Sequence, residues 1–400
     1  MPQRPRLLVL ASTFPARLDD GIPAFVLDLA RQEAIDYEVT VLTPRVPGAP
    51  RRERMAGVDV ERFAYFPRRW ERLADGAILD NLRKTRSLWL QLPFLVLAQA
   101  IAVRRAIRRL RPDVIHAHWI LPQGFSARLA SRRIPLLVTL HGADVYALRS
   151  APFRRMKRWV LDGAARVTTV NDQMATMIAA WGVDTRRTST IPMGVPLDEV
   201  IAARRSAPPQ AAGPAHLVVV GRLVEKKGFA VLLEALREHV TDRDWRLTIV
   251  GDGPERERLE RLATGLPVTF TGQQGRHRVL AEIASCELFL LPSITAASGD
   301  QEGLPVVLLE AAALGTAIVA ADLPGINEVV IDGVTGSLVP SGDAAALGAA
   351  IDRLLRDPVA RASFAAAAAA VAQGYSTESI GARYRAVLDE ARAAALTPVS

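Results

Sequence analysis

The feature that most limits how this chain can fold is an alternation, run through twice, of short continuously apolar stretches and longer amphipathic ones. In the first half the stretches Arg6–Ala11, Tyr37–Leu42, Val58–Phe63, Val114–His118, Leu136–Leu140 and Arg166–Val170 predict strands. Helical segments are predicted between them over Pro23–Ile35, Leu79–Leu110, Pro122–Ser131, Phe153–Leu161 and Asp172–Ala180. Strands that are apolar on both faces need covering on both faces, which is the condition of a parallel sheet layered with helices. Arg204–Pro214 then breaks the pattern with three prolines and no apolar period, and reads as a linker. The alternation restarts with strands at His216–Gly221, Arg246–Val250, Val268–Thr271, Leu288–Leu291 and Ala317–Ala320. Its helices are predicted at Ala230–His239, Pro254–Ala263, Arg278–Ala284, Leu304–Ala313 and Ile326–Ile331, followed by Ala-rich helices over Phe364–Val371 and Ile380–Ala394.

The predicted fold class is therefore α/β, with two Rossmann-like domains whose parallel sheets face each other across a cleft. The boundaries fall at 1–195 and 196–375, with a last helix over about 376–395 packing back on the first domain. A chain of 400 residues is long enough for two such cores. Cys286 is the one cysteine, so a disulfide framework within one chain is excluded. The apolar run Leu7–Ala11 is too short for the core of a signal peptide, and a cytoplasmic location is the expectation.

The net charge of +8 is unevenly spread. Residues 1–199 hold 31 Lys and Arg against 19 Asp and Glu, whereas residues 200–400 hold 19 against 23. The first half is thus expected to face something anionic, unless its arginines are merely solvated. The longest apolar stretch, Leu88–Ala98, is interrupted by Gln91 and Pro93 and gives way to Arg104-Arg105. It predicts a buried or interfacial helix rather than a spanning one.

Chemistry concentrates at strand ends. Val218–Gly221 ends a strand, Arg222 follows, and Lys227 opens the next helix. A guanidinium fork, an ammonium and a helix N-terminus together suit a diphosphate, though two surface cations at a turn would give the same letters. Glu302 and Glu310 are spaced by a little over two helical turns and can be turned toward one ligand. Glu310 lies inside an apolar helix and needs a partner there. His141 closes one strand in Leu140-His141-Gly142-Ala143-Asp144, and His116 and His118 share a face of the strand before it. His118 reads as cleft lining and His116 as strand packing.

Three elements occur in order: Gly221-Arg222-Leu223 with Lys227-Gly228, then Gly251-Asp252-Gly253-Pro254, then Glu302-Gly303-Leu304-Pro305 with Glu310-Ala311. Together they resemble retaining glycosyltransferase family 4 of the GT-B fold over most of residues 6–390, closest to its exopolysaccharide members. The resemblance implies that Arg222 and Lys227 bind a nucleotide diphosphate. It implies that Glu302 contacts the donor sugar and Glu310 the ribose. It also places Gly303, Leu304 and Pro305 along sugar and phosphates, with Gly251 and Gly253 near the base. His141 would stand at the reacting carbon, so the implied catalytic set is His141, Glu302, Arg222 and Lys227. Gly21 would meet the donor diphosphate, and Asp20, His118 and Asp144 would line the acceptor side. The family often has a Gly-Gly pair where this chain has Asp20-Gly21.

The resemblance further implies a metal-independent, retaining hexosyltransferase without a cofactor, using a UDP-sugar in preference to a GDP-sugar. The expected acceptor is a glycan or a polyprenyl-diphosphate-linked glycan, with an anionic membrane surface as a further partner and no nucleic acid. The Asp-x-Asp at Asp242–Asp244 precedes a strand, the wrong sheet edge for a metal site at the ligand. A sugar epimerase on the same fold, or a non-catalytic basic protein binding membrane or nucleic acid, are the alternatives. The basic clusters lack the interleaved aromatics of a single-strand binder.

Overall fold

The structure, a computed structural model, describes residues 4–18, 20, 24–76, 78–206, 213–241 and 244–396. It divides into two compact units, Met1–Gly194 with Thr377–Ser400, and Val195–Ser376.

The first unit is built on β1 (Arg6–Leu10), β2 (Glu38–Pro44), β3 (Arg52–Met55), β4 (Val58–Phe63), β5 (Val114–His118), β6 (Leu136–Leu140), β7 (Arg166–Thr169) and β8 (Thr188–Thr190). They lie in the order β3-β4-β2-β1-β5-β6-β7-β8, and every pairing is parallel except β3 with β4. The helices are α1 (Phe25–Glu33), α2 (Ile78–Lys84), α3 (Leu92–Leu110), α4 (Phe125–Ala130), α5 (Ala143–Tyr146), α6 (Ala151–Asp162) and α7 (Asp172–Ala180).

The second unit holds α8 (Leu197–Ser206), β9 (Ala215–Val220), α9 (Phe229–Glu238), β10 (Trp245–Val250), α10 (Arg256–Leu262), β11 (Val268–Gly272) and α11 (Arg276–Ala284). After them come β12 (Leu288–Leu291), α12 (Val306–Ala313), β13 (Ala317–Asp322), β14 (Ser337–Pro340), α13 (Ala344–Arg356) and α14 (Pro358–Ala372). Its sheet runs β11-β10-β9-β12-β13-β14, all parallel. Counted from β9 this is the doubly wound order 3-2-1-4-5-6, which reverses direction between β9 and β12. Residues of alternate parity fill one face: Leu217, Val219, Leu247, Ile249, Leu288 and Leu290 join Leu232, Leu236, Leu347 and Ile351 in one buried core.

The last helix, α15 (Thr377–Leu396), belongs to the first unit and packs on α1, β5 and β7. Tyr384 is fully buried there, and its hydroxyl donates to Ile191 O at 3.0 Å. Tyr37 donates to Asp389 at 2.6 Å, and Arg385 pairs with Asp36 at 2.7 Å.

Several sequence expectations change. Ile326–Ile331 forms turns, held by i→i+3 and i→i+4 bonds such as Val329 N to Ile326 O, and does not form a helix. Arg204, Arg205 and Ser206 end helix α8 instead of opening a linker, and residues 207–212 lie outside the described residues. The long predicted helix over 79–110 is interrupted near Thr85, then runs through a 3₁₀ stretch, Arg86–Gln91, into α3. Gln91 and Pro93 do not break it, because proline in a first helical turn costs no hydrogen bond. Arg86–Leu110 is thus long and apolar enough, by length and composition, to cross a membrane. In this fold it buries Leu88, Leu95, Gln99, Val103 and Ala106 and packs on α4, β2 and β4.

Because Tyr384 fills its site completely, Tyr384→Ala is expected to destabilise the first unit by about 3–5 kcal/mol, as for other buried aromatic truncations. The check is the denaturant midpoint of the purified variant; a loss below about 1 kcal/mol would contradict the assigned packing of α15.

Candidate active site

In both units the candidate side chains stand at the carboxyl ends of parallel strands, where the next loop is free of the sheet. In the second unit β9 runs out into Gly221 and Arg222, and the chain turns through Glu225–Lys227 to Gly228. Gly228 has φ +67°, and a Cβ there would lie 1.8 Å from Pro292 O, just past β12. Only glycine lets the β9 loop sit this close to the end of β12. Its neighbours also bond across: Ile294 N donates to Lys226 O at 2.8 Å.

That approach brings the lysines onto the loop after β12. Lys227 Nζ lies 3.2 Å from Glu302 Oε2, and Lys226 Nζ lies 3.8 Å from Glu302 Oε1 and 3.5 Å from Asp300. Glu302 is buried, which raises its carboxyl's pKa. Lys227, then Lys226, more than reverse this, so it stands below the usual carboxylate value and is ionised at neutral pH. Its Oε1 has no hydrogen-bond partner among the described residues. A buried carboxylate oxygen in that state is a ready acceptor for a hydroxyl.

Glu310 is anchored separately. Its Oε1 accepts from Arg276 at 2.9 Å, and the Arg276 Nε stands 3.6 Å from Glu199 of α8. The partner that the apolar helix demanded is therefore an arginine at the start of α11. Nothing in the spacing of the sequence pointed to Arg276, which reaches Glu310 from another element of the unit, or to Glu199, which meets Arg276 there. Gly251 and Gly253 have a structural reason of their own. A Cβ on Gly251 would lie 2.0 Å from Gly221 O, and one on Gly253 would lie 2.5 Å from Leu223 O. Their loop bonds to the β9 loop through Leu223 N to Asp252 O, 2.9 Å. Gly303 and Leu304 lie between Glu302 and Pro305, which caps α12.

In the first unit three histidines stack where β5 and β6 end. The His116 and His118 rings are 4.3 Å apart, and those of His118 and His141 are 5.2 Å apart. His116 bonds Glu33 at 2.7 Å and Thr139 at 2.7 Å, and Thr139 bonds Thr168 at 2.6 Å. Burial pushes the His116 pKa down to about 3, so its ring is neutral near pH 7, and raises that of Glu33 well above the ordinary carboxyl value. His118 Nδ1 meets His141 Nε2 at 2.9 Å, while His118 Nε2 is buried without a partner among the described residues. A proton on Nε2 would be an unsatisfied buried donor, so it rests on Nδ1 and is donated to His141. His141 then carries its own proton on Nδ1. Trp119 (4.6 Å between ring centroids) and Phe25 (5.2 Å) pack against the His141 ring. Trp119 has φ +75°, a strained position for a bulky side chain, and such strain gathers at functional sites.

The acceptor-side expectations are revised. His118 lines no surface: it is fully buried and supports His141 from behind. Asp144 is also buried. Its carboxylate accepts from the amides of Ile120, His141 and Gly142 at 3.1 Å each, which fixes the loop that carries His141. Asp20 is turned to its own loop, accepting from Ala16 N and Arg17 N. Gly21, Asp242 and Arg243 lie outside the described residues.

The sequence pattern described as a glycosyl transferase 4-like domain matches residues 20–194, and that described as glycosyl transferases group 1 matches residues 202–371. D-inositol 3-phosphate glycosyltransferase of Acidothermus cellulolyticus is 32% identical over 94% of this chain and 87% of its own. The chain belongs to glycosyltransferase family 4. WcaL of Salmonella typhimurium, a glycosyltransferase assigned to colanic acid biosynthesis, is 34% identical over 47% of each chain, so the match spans about half of that relative. HepE of Anabaena, whose crystal structure holds UDP and glucose, superposes with a TM-score of 0.72 at 21% identity, covering 96% of this chain and 99% of its own. That likeness is one of fold, and the two α/β units are those of GT-B. Family 4 relatives of this chain thus include glycosyltransferases of cell-surface polysaccharide synthesis. Of the residues singled out by the family motifs, the second unit joins Lys227 to Glu302, and the first sets His141 on His118.

Burial pushes the pKa of His118 and of His141 well below the ordinary histidine value, with the neighbouring histidines adding to the shift. Groups depressed in this way favour the fold fully above about pH 6.5, and lose that contribution as the pH falls below it, because the unfolded chain then binds the protons. Long-range ¹⁵N–¹H spectra at pH 5.5 are expected to show both rings neutral, with the proton on Nδ1. An imidazolium pattern for either ring would refute the assignment.

Proposed function

We propose that the protein is a retaining glycosyltransferase that moves a hexose from a nucleotide-diphosphate sugar to a glycan or lipid-linked acceptor in cell-surface polysaccharide synthesis. The observation that carries this reading is the buried Glu302, ionised between Lys226 and Lys227 with one oxygen unbonded, at the strand reversal of the second unit. Arg222 and Lys227 stand on the loop where a diphosphate is held in doubly wound folds, and their charge answers the negative charge of the leaving group without a metal. In the transfer the bond from the anomeric carbon to the diphosphate oxygen breaks, and the acceptor oxygen bonds the same face. The acceptor's proton passes to the departing phosphate oxygen. The Nδ1–H of His141 is a donor suited to a sugar oxygen near the reacting carbon. UDP, the nucleotide in the HepE crystals, is the first to test, with GDP as the alternative.

The same reading places the enzyme at the cytoplasmic face of the membrane. Leu90, Phe94, Leu97 and Ile101 are all exposed and recur every three or four residues along one side of the helical stretch that ends in α3. Trp70 and Trp89 are half exposed, and Arg68, Arg69, Arg86, Arg104, Arg105 and Arg108 are exposed. An apolar stripe with basic flanks suits the interface of an anionic leaflet.

Arg222→Ala and Lys227→Ala are each expected to lower kcat/KM by about 10²–10³, with anomeric configuration retained by NMR and activity intact in chelator. An inverted product, or a strict divalent-metal requirement, would overturn the mechanism. Lys227→Ala and Glu302→Ala should be non-additive in a double-mutant cycle, because each removes the other's partner.

The protein is expected to co-sediment with vesicles containing phosphatidylglycerol more than with phosphatidylcholine alone, and less at high salt. Phe94→Ser/Leu97→Ser should abolish the difference. Equal, negligible binding to both vesicles would remove the membrane part of the reading and leave the transferase part standing.

A further inference from the structure

A small pocket in the first unit lies beside the loop that carries His141. It is lined by Leu148, Arg149, Arg154, Lys157, Met177 and Trp181. Lys157 is almost completely buried, and its Nζ donates to Ala147 O at 2.5 Å. Among the described residues no carboxylate lies within ion-pairing distance of it. Asp144 acts on it by charge from beyond that distance, its oxygens accepting from three main-chain amides. Arg149 and Arg154 are exposed, and neither forms a salt bridge among the described residues. Three cations thus converge on one pocket with no carboxylate in its lining. A buried ammonium is stable only when something answers its charge. The remaining wall is apolar, with Trp181 facing Lys157 at 5.6 Å from ring centroid to Nζ.

We propose that this pocket binds a phosphate or diphosphate group of the acceptor, with Arg149 and Arg154 as the entry cations and Lys157 as the buried one. The proposal rests on the transferase reading above for the word acceptor, and on the pocket alone for the anion. The pocket belongs to the His141 loop: Ala147, which accepts from Lys157, donates its own N–H to Ala143 O at 3.0 Å, and Asp144 fixes the turn between them. An anion held here is therefore tied to the backbone that positions His141. Guanidinium forks match phosphate oxygens in pairs, and the aromatic wall suits the carbon skeleton that bears the phosphate. Burial pulls the Lys157 pKa down to about 8, with Arg149 adding to it, against the opposing pull of Asp144.

The test is a titration of the full-length protein with inorganic pyrophosphate, read by tryptophan fluorescence. Saturable quenching is expected, and it should vanish in Trp181→Phe. Arg149→Ala/Arg154→Ala should weaken binding by about tenfold or more, since both side chains are exposed and unbridged and the variant keeps its fold. Arg149→Lys/Arg154→Lys should recover part of the loss. Arg222→Ala/Lys227→Ala should leave the Trp181 signal in place, which separates this pocket from the diphosphate site of the second unit. Glucose 6-phosphate and farnesyl diphosphate are titrated in the same way, and the tighter of the two identifies a sugar-phosphate or a lipid-linked source. Wild-type affinity in the Arg149→Ala/Arg154→Ala variant, or loss of the signal with Arg222 and Lys227, overturns the proposal. Nucleotide-sugar turnover, measured in parallel, reports separately on the transferase reading.

Discussion

The second unit depends on how a buried carboxylate is kept charged. Glu302 sits out of water, where its ionised form is costly. It stays ionised because Lys226 and Lys227 reach it from the loop after β9. They reach it only because Gly228 lets that loop close on Pro292 at the end of β12. A change in any of the three parts releases the others. The doubly wound order makes β9 and β12 neighbours and leaves their loops on the same edge, so the fold itself sets up the encounter.

The first unit handles polarity in the opposite way. Its histidines are packed against one another and against Trp119, Phe25 and Tyr384, and burial holds them neutral. Neutral imidazoles have a direction, since one nitrogen gives and the other takes. The order from His118 to His141 fixes that direction at the strand ends. Glu33, Thr139 and Thr168 complete the polar seam behind them, tying α1 to β6 and β7. The candidate site of one unit thus presents charged groups and that of the other oriented, uncharged donors.

The surface of the first unit carries an excess of arginine, part of it beside the apolar stripe of α3 and part around the Lys157 pocket, and of these Arg109 pairs with Glu61 and Arg158 with Asp162. Local imbalance of this kind costs stability through repulsion and loss of hydration. Both places lie in the half of the chain where the sequence is most basic.

The two runs of strands and helices were legible in the order of residues, because apolar period is a local property that survives in one dimension. Arg222 and His141 could be placed at strand ends from the residues, since polar groups that close apolar runs fall there in a parallel sheet, whereas Lys227, Glu302 and Glu310 were singled out by helix spacing and the family pattern. The short strands β3, β8 and β14 were not legible: Arg52–Met55 and Thr188–Thr190 carry no continuous apolar signal, and they pair only because a neighbouring strand presents an edge. Which partner answers each charge was decided by tertiary structure alone. Arg276 lies 34 residues from Glu310, Glu199 is on another helix, and Glu33 meets His116 from 83 residues away. Pairing energy depends on distance and burial in space, neither of which is written in residue order. For the same reason His118 and Asp144 looked from the sequence like groups facing a ligand, and only packing showed that one buttresses His141 while the other holds its loop.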